Sequence, residues 1–215
     1  MLNSLFRKKN TCFICKAATT MFICSSCTRK LDFYQDLRGR SSYRNFDLNF
    51  TAPYHRGFKE LIWNLKFGKN TGLAKGMAYL MLESYLKCYD EVPDLIGYVP
   101  MGPLKEKQRG FNQSRILAEE MGRLLNRRTV EALKRTDRKS LYKAGGCPRE
   151  SLVRGTMSPL FTDESKHILF IDDVHTTGAT AREVLRAIGR EGFRKTGFLF
   201  FARQEKKENL TSWFK

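Results

Sequence analysis

The sequence predicts an α/β fold with a mostly parallel sheet, preceded by a small four-cysteine module. Three observations carry that expectation. Short apolar runs with strand character alternate with amphipathic helical stretches along most of the 215 residues. That order builds a parallel sheet with helical crossovers. Four cysteines, Cys12, Cys15, Cys24 and Cys27, lie close together near the N-terminus. Finally, "HILFIDDVHTTGAT", residues 167–180, joins an apolar run, two acids and a hydroxyl-rich loop, as a strand does where it meets a ligand.

Residues 1–40 read as a zinc ribbon and 41–215 as the α/β domain. The cysteines follow C-x2-C-x8-C-x2-C, two knuckles facing each other across a short hairpin. Each knuckle sets two thiolates on one turn, and the four complete a tetrahedron around Zn2+. A pair of disulfides is the alternative, but it needs an oxidising compartment that nothing else here suggests. The metal would stand in for a hydrophobic core too small to form. Cys88 and Cys147 have no partner at metal spacing and are expected to be ordinary thiols.

The elements follow in order. "DLRGRSSYRN" (36–45), charged and serine-rich, reads as a linker, and "LNFTAPYHRG" (48–57) contains a strand. "FKELIWNLKF" (58–67) places Phe58, Leu61, Ile62 and Leu65 at helical spacing and is stopped by Gly68. A second helix covers 73–88. "PDLIGYVP" is a buried strand between prolines, and "FNQSRILAEEMGRLLN" (111–126) a helix with Ile116, Leu117, Met121, Leu124 and Leu125 inward. The polar, basic, glycine-containing stretch 135–150, "RTDRKSLYKAGGCPRE", reads as a loop. Residues 168–171 form a strand, followed by a turn and a helix that packs through Val184, Leu185 and Ile188. "KTGFLFFAR" (195–203) closes the sheet.

The formal charge is +17 and is unevenly spread. Residues 1–40 carry eight Lys/Arg against two acids, and residues 101–160 fourteen against six. Such stretches suit a polyanionic partner, nucleic acid or a polyphosphate metabolite. No apolar stretch has the length of a membrane span. "MLNSLFRKKN" lacks the apolar core and cleavage site of a secretory signal, so a cytoplasmic location is expected.

Asp172 and Asp173 are delivered to the carboxyl edge of the sheet, and the next helix opens beside them. Its unpaired N–H groups, together with the hydroxyls of Thr176, Thr177 and Thr180, would hold a phosphate monoester. Gly178 and Ala179 keep that loop small, so that backbone can approach oxygen. Carboxylates repel phosphate but accept hydrogen bonds from a sugar diol. The arrangement therefore suits a ribose 5-phosphate. A Walker loop would need a Lys directly before the Ser/Thr, and the dinucleotide G-x-G-x-x-G pattern is absent. His175, within the turn, is expected at the surface.

"ILFIDDVHTTGAT" resembles the phosphoribosyl-pyrophosphate motif of type I phosphoribosyltransferases. The resemblance implies that fold type and places the ribose hydroxyls on Asp172 and Asp173, which would also serve any catalysis. The 5′-phosphate would lie on Thr176–Thr180. "YVPMGPLKEKQRGFNQS" (98–114), with the four cysteines and "WNLKFGKN", resembles the ComF competence proteins and the related GntX proteins. By that resemblance Lys105, Lys107 and Arg109 would bind pyrophosphate together with Mg2+. The stretch between the two motifs departs from the ComF pattern, lacking its Gln and its Arg-x2-Asn, although Lys139, Lys143 and Arg149 keep it basic.

Three functions are then in view. The ComF resemblance implies a protein of DNA uptake that handles single-stranded DNA, with a competence helicase or other DNA-processing proteins as partners. The second is an active phosphoribosyltransferase of nucleotide salvage, passing ribose 5-phosphate to a nucleobase. In the third, phosphoribosyl pyrophosphate is a regulatory ligand.

Overall fold

The computed structural model describes residues 11–13, 15–30, 39–41, 46–54, 56–68, 70–137, 153–189 and 192–204. Among the described residues eight strands run β1 (Gly39–Ser41), β2 (Phe46–Pro53), β3 (Leu95–Tyr98), β4 (Arg128–Val130), β5 (Leu133–Arg135), β6 (Met157–Pro159), β7 (Asp163–His175) and β8 (Phe193–Arg203). The helices among the described residues are α1 (Ser25–Lys30), α2 (Arg56–Lys66), α3 (Leu73–Cys88), α4 (Pro103–Arg109), α5 (Gln113–Leu125) and α6 (Ala179–Ile188).

Six strands form the main sheet in the order β1-β2-β8-β7-β3-β4. Every pairing is parallel except β1 with β2. The expected α/β class is thus observed. β5 and β6 make a separate antiparallel pair.

β7 shows why apolar runs become central strands. Leu169 and Ile171 point into the cluster with α2, α3 and α5, whereas Ile168 and Phe170 point into the cluster with α6. A strand covered on both faces reads as continuous apolar sequence. α2 buries Phe58, Leu61, Ile62 and Leu65, the face its spacing predicts. α5 buries Leu117 and Met121, while Ile116, Leu124 and Leu125 pack at the margin. Its start is fixed by Asn112, whose side chain accepts from the Ser114 and Arg115 amides.

Four expectations are corrected. Gly39–Ser41 lies inside the expected linker but pairs with β2 as an edge strand; three residues carry no readable alternation. Leu133–Arg135 pairs with Met157–Pro159, so the loop expected over 135–150 begins on a strand. Residues 138–152, including Lys139, Lys143, Cys147 and Arg149, lie outside the described residues. The strand expected over 168–171 continues to His175, because β8 keeps pairing with it, Asp172 opposite Phe200 and His175 opposite Arg203. His175 is consequently buried, its ring against Phe50 and Phe200 at 4.9 and 5.1 Å. Burial, with Arg203 and Arg182 nearby, brings its pKa down to about 3, so it packs as a neutral ring.

Candidate functional site

β7 loses one neighbour before the other. Its ladder with β3 ends at Ile171, opposite Tyr98, while the ladder with β8 runs on. From Asp172 onward that side of the strand is open, and the acids emerge into the gap. A cavity of about 350 Å³ lies there, bordered by Val99–Met101 after β3 and by the start of α6. It is the crevice at strand carboxyl ends where ligands of α/β sheets bind.

The two acids are buried side by side, 8% and 5% exposed. Asp172 Oδ1 accepts from Ser114 Oγ at 2.5 Å and from the Asp173 amide at 2.9 Å. Asp173 Oδ2 pairs with Lys66 Nζ at 2.5 Å. Burial, then the neighbouring Asp173 charge, lifts the Asp172 carboxyl to about 7, against the pull of the Ser114 hydroxyl and Lys66. Near neutral pH Asp172 therefore exchanges a proton.

Thr176, Thr177, Ala179 and Thr180 line the same cavity. Gly178 precedes α6 with φ at +74°, a left-handed turn that glycine adopts without strain. Thr177 Oγ1 is buried and makes no hydrogen bond, while Arg182 holds the Thr177 carbonyl at 3.0 Å. A polar atom left in this state fits an oxygen-rich ligand beside it. The first α6 amides are unpaired within the helix and suit an anion.

Of the expected pyrophosphate residues, Lys105 and Arg109 border the cavity, and Lys107 is exposed outside its lining. They stand on α4. The helix starts with Pro103 at its first turn, and Asp137 accepts from the Leu104 amide at 2.7 Å. That cap comes from thirty-three residues away and leaves no local mark. Arg109 bonds Gln113 and lies over the Phe67 ring at 5.2 Å.

Sequence reasoning missed Lys66, Ser114 and Arg135, which also line the cavity. Lys66 ends an amphipathic helix and reads as ordinary helix-terminal charge. Burial lowers the Arg135 pKa while Asp172 opposes the shift. Lys66, Lys105, Arg109 and Arg135 face two acids, enough cations for a ligand bearing more than one phosphate.

The Cys12, Cys15, Cys24 and Cys27 sulfurs all lie within 4.8 Å of one another, Cys15 and Cys24 at 3.6 Å. Sulfurs bound to one Zn2+ stand about 3.8 Å apart, given Zn–S of about 2.3 Å; disulfide sulfurs stand at about 2.05 Å. The spacing fits a metal ion. Backbone amides of Cys24 and Cys27 donate to the Cys12 and Cys24 sulfurs, both at 3.4 Å. Burial, then the neighbouring thiols, pushes Cys27 up to about 12, so a bound cation is what would make it a thiolate at neutral pH. Cys12, Ile23 and Cys27 belong to the same buried cluster as α2 and α3. Phe22 lies on Gly76 of α3, where an added Cβ would meet the ring at 2.5 Å.

No protein-family model matches the chain. The DNA utilization protein YhgH of Escherichia coli O6:H1 is 29% identical over 147 residues, 66% of this chain and 65% of its own length. Competence protein ComFC of Streptococcus pneumoniae is 30% identical over 143 residues, 65% of this chain and 60% of its own. This chain is a homologue of YhgH and ComFC. The match thus spans less than two thirds of either homologue's length. Among solved structures, adenine phosphoribosyltransferase from Leishmania tarentolae covers 76% of this chain at 12% identity, with a TM-score of 0.42; 94% of that chain is matched. Among the described residues, no helix is long and apolar enough to cross a membrane.

Proposed function

We propose that this protein acts in DNA uptake or utilization in the cytoplasm, handling single-stranded DNA, and that its cavity binds phosphoribosyl pyrophosphate. The observation that carries the ligand is the joint burial of Asp172 and Asp173 beside the hydroxyl loop, in one cavity edged by four cations. The ribose diol would donate to the carboxylates, and the 5′-phosphate would take the α6 amides and Thr177. Lys105 and Arg109 would meet the diphosphate, with Lys107 available from the same helix. Mg2+ fits as part of that diphosphate, because it is held by carboxylate and phosphate oxygens; it would neutralise charge there. The four thiols would hold structural Zn2+, making residues 1–40 a ribbon docked on the domain of residues 41–215. The names of the homologues, a competence protein and a DNA utilization protein, and the charge of +17 support DNA as the working partner.

A second reading, phosphoribosyl transfer, is favoured by the two buried acids lining one cavity with four cations, the Asp172 carboxyl lifted to about 7. Asp172 and Asp173 would then stabilise an oxocarbenium-like ribose while the cations hold the leaving diphosphate.

The test is equilibrium binding of a fluorescent dT oligonucleotide at graded salt, with and without phosphoribosyl pyrophosphate and Mg2+. Affinity falling steeply with salt is expected, since each neutralised phosphate contributes about −0.7 to the log–log slope. No binding at low salt would refute the DNA assignment. Pyrophosphate release in a nucleobase screen would support transfer, and its absence across the screen would remove that reading.

A further inference from the structure

The outward face of α2 and the residue that follows it carry two exposed rings. Trp63 is 57% exposed and Phe67 60% exposed, with ring centroids 5.9 Å apart. Lys59 is exposed one turn before Trp63, and Lys66 lies between the rings in sequence while reaching inward to Asp173. The Arg109 guanidinium lies over Phe67 at 5.2 Å and also edges the cavity. Glu60, the acid of this helix, is engaged by Lys16 at 3.7 Å. The face therefore presents aromatic rings and cations together, continuous with the cavity rim through Arg109.

That combination has a recognisable chemistry. Surfaces that dock another protein are enriched in aromatic rings and Arg but depleted of Lys. Here an exposed Lys59 flanks the rings beside Arg109. Unpaired nucleic acid offers the matching groups: flat bases that stack on any aromatic face, and phosphates that neutralise nearby Lys and Arg. We propose that Trp63 and Phe67, flanked by Lys59 and Arg109, form a base-stacking platform for a single nucleic-acid strand, running onto the rim of the ribose-phosphate cavity. The proposal rests on the single-stranded DNA reading above and assigns that strand a path.

The test uses the full-length protein and anisotropy of a fluorescein-labelled dT oligonucleotide. W63A/F67A is expected to bind about tenfold more weakly or worse, the effect of losing base–aromatic stacking. The salt dependence should stay unchanged, because the cations remain. W63K/F67K adds charge and should nevertheless bind more weakly than wild type, whereas both variants should bind dextran sulfate, a polyanion without bases, at least as well as wild type. Conservative W63F/F67Y should retain affinity. Wild-type affinity for dT in W63A/F67A, or tighter dT binding by W63K/F67K, would overturn the platform alone. Loss of dT binding by W63F/F67Y would also overturn it, because the rings persist. No dT binding by the wild-type protein at low salt would overturn the platform together with the reading beneath it.

Discussion

Two clusters in this chain, four half-buried thiols and two buried carboxylates, gather groups that can become anions, and they are compensated in opposite ways. The four thiols contact one another and the backbone amides of Cys24 and Cys27, and their spacing could hold a metal ion. The two carboxylates have Lys66 and the Ser114 hydroxyl within the fold. One cluster is therefore expected to need its ligand in order to form. The other already has its partners within the fold, and by the proposed reading a ligand's hydroxyls would take their place.

Removing the metal should break the first cluster with the largest effect. Elemental analysis of the purified protein should find about one Zn per chain. A strong chelator should abolish the cooperative unfolding of the cysteine module and loosen α3, where Phe22 packs on Gly76. Hydrogen exchange across residues 11–30 and 73–88 reads this directly. Unchanged protection would show that the thiols need no metal.

Lys66→Met sharpens the contrast on the other side. It removes the counter-ion and leaves Asp173 buried beside Asp172, an uncompensated charge that costs about 3–5 kcal/mol. Urea unfolding at pH 8 should show most of that loss, and at pH 5, where Asp172 holds its proton, less. An equal loss at both values would mean that Lys66 contributes packing rather than charge.

Asp172→Asn tests the proton on the pair. Folding raises the carboxyl from 3.8 to about 7, so the native state keeps a proton that the unfolded chain releases. Its contribution is fully present below about pH 4 and is lost as pH rises through about 7. At about 1.4 kcal/mol per pKa unit, the ligand-free variant should gain on the order of 2–4 kcal/mol over wild type at pH 8 and nothing at pH 4. Ser114 can still donate to the amide oxygen. A variant less stable than wild type at pH 8 would contradict the account.

How much was readable depended on chain distance. Asp172, Asp173 and the threonine loop are contiguous, so their shared place at one cavity stood in the sequence, as did the cysteine spacing. Lys66 and Ser114 reach the acids from 107 and 58 residues away, and only folding brings them there. The helical state of 103–109 was hidden because α4 buries no side chain and borrows its cap from Asp137. His175 was misplaced because the turn chemistry of its neighbours outweighed the parallel pairing that extends β7. The exposed rings of α2 were visible as residues, but their exposure was not.

The central claim is that one cavity binds both ends of a phosphorylated ribose, the diol at the acids and the phosphate at the α6 loop. Calorimetric titration of phosphoribosyl pyrophosphate with Mg2+ into wild type and the Asp172→Asn/Asp173→Asn variant tests it most directly. One site per chain is expected, weakened about a hundredfold or more in the variant, since charge-assisted hydrogen bonds contribute about 1.5–3 kcal/mol each. Equal binding by the two proteins, or no heat from the wild type, would contradict it.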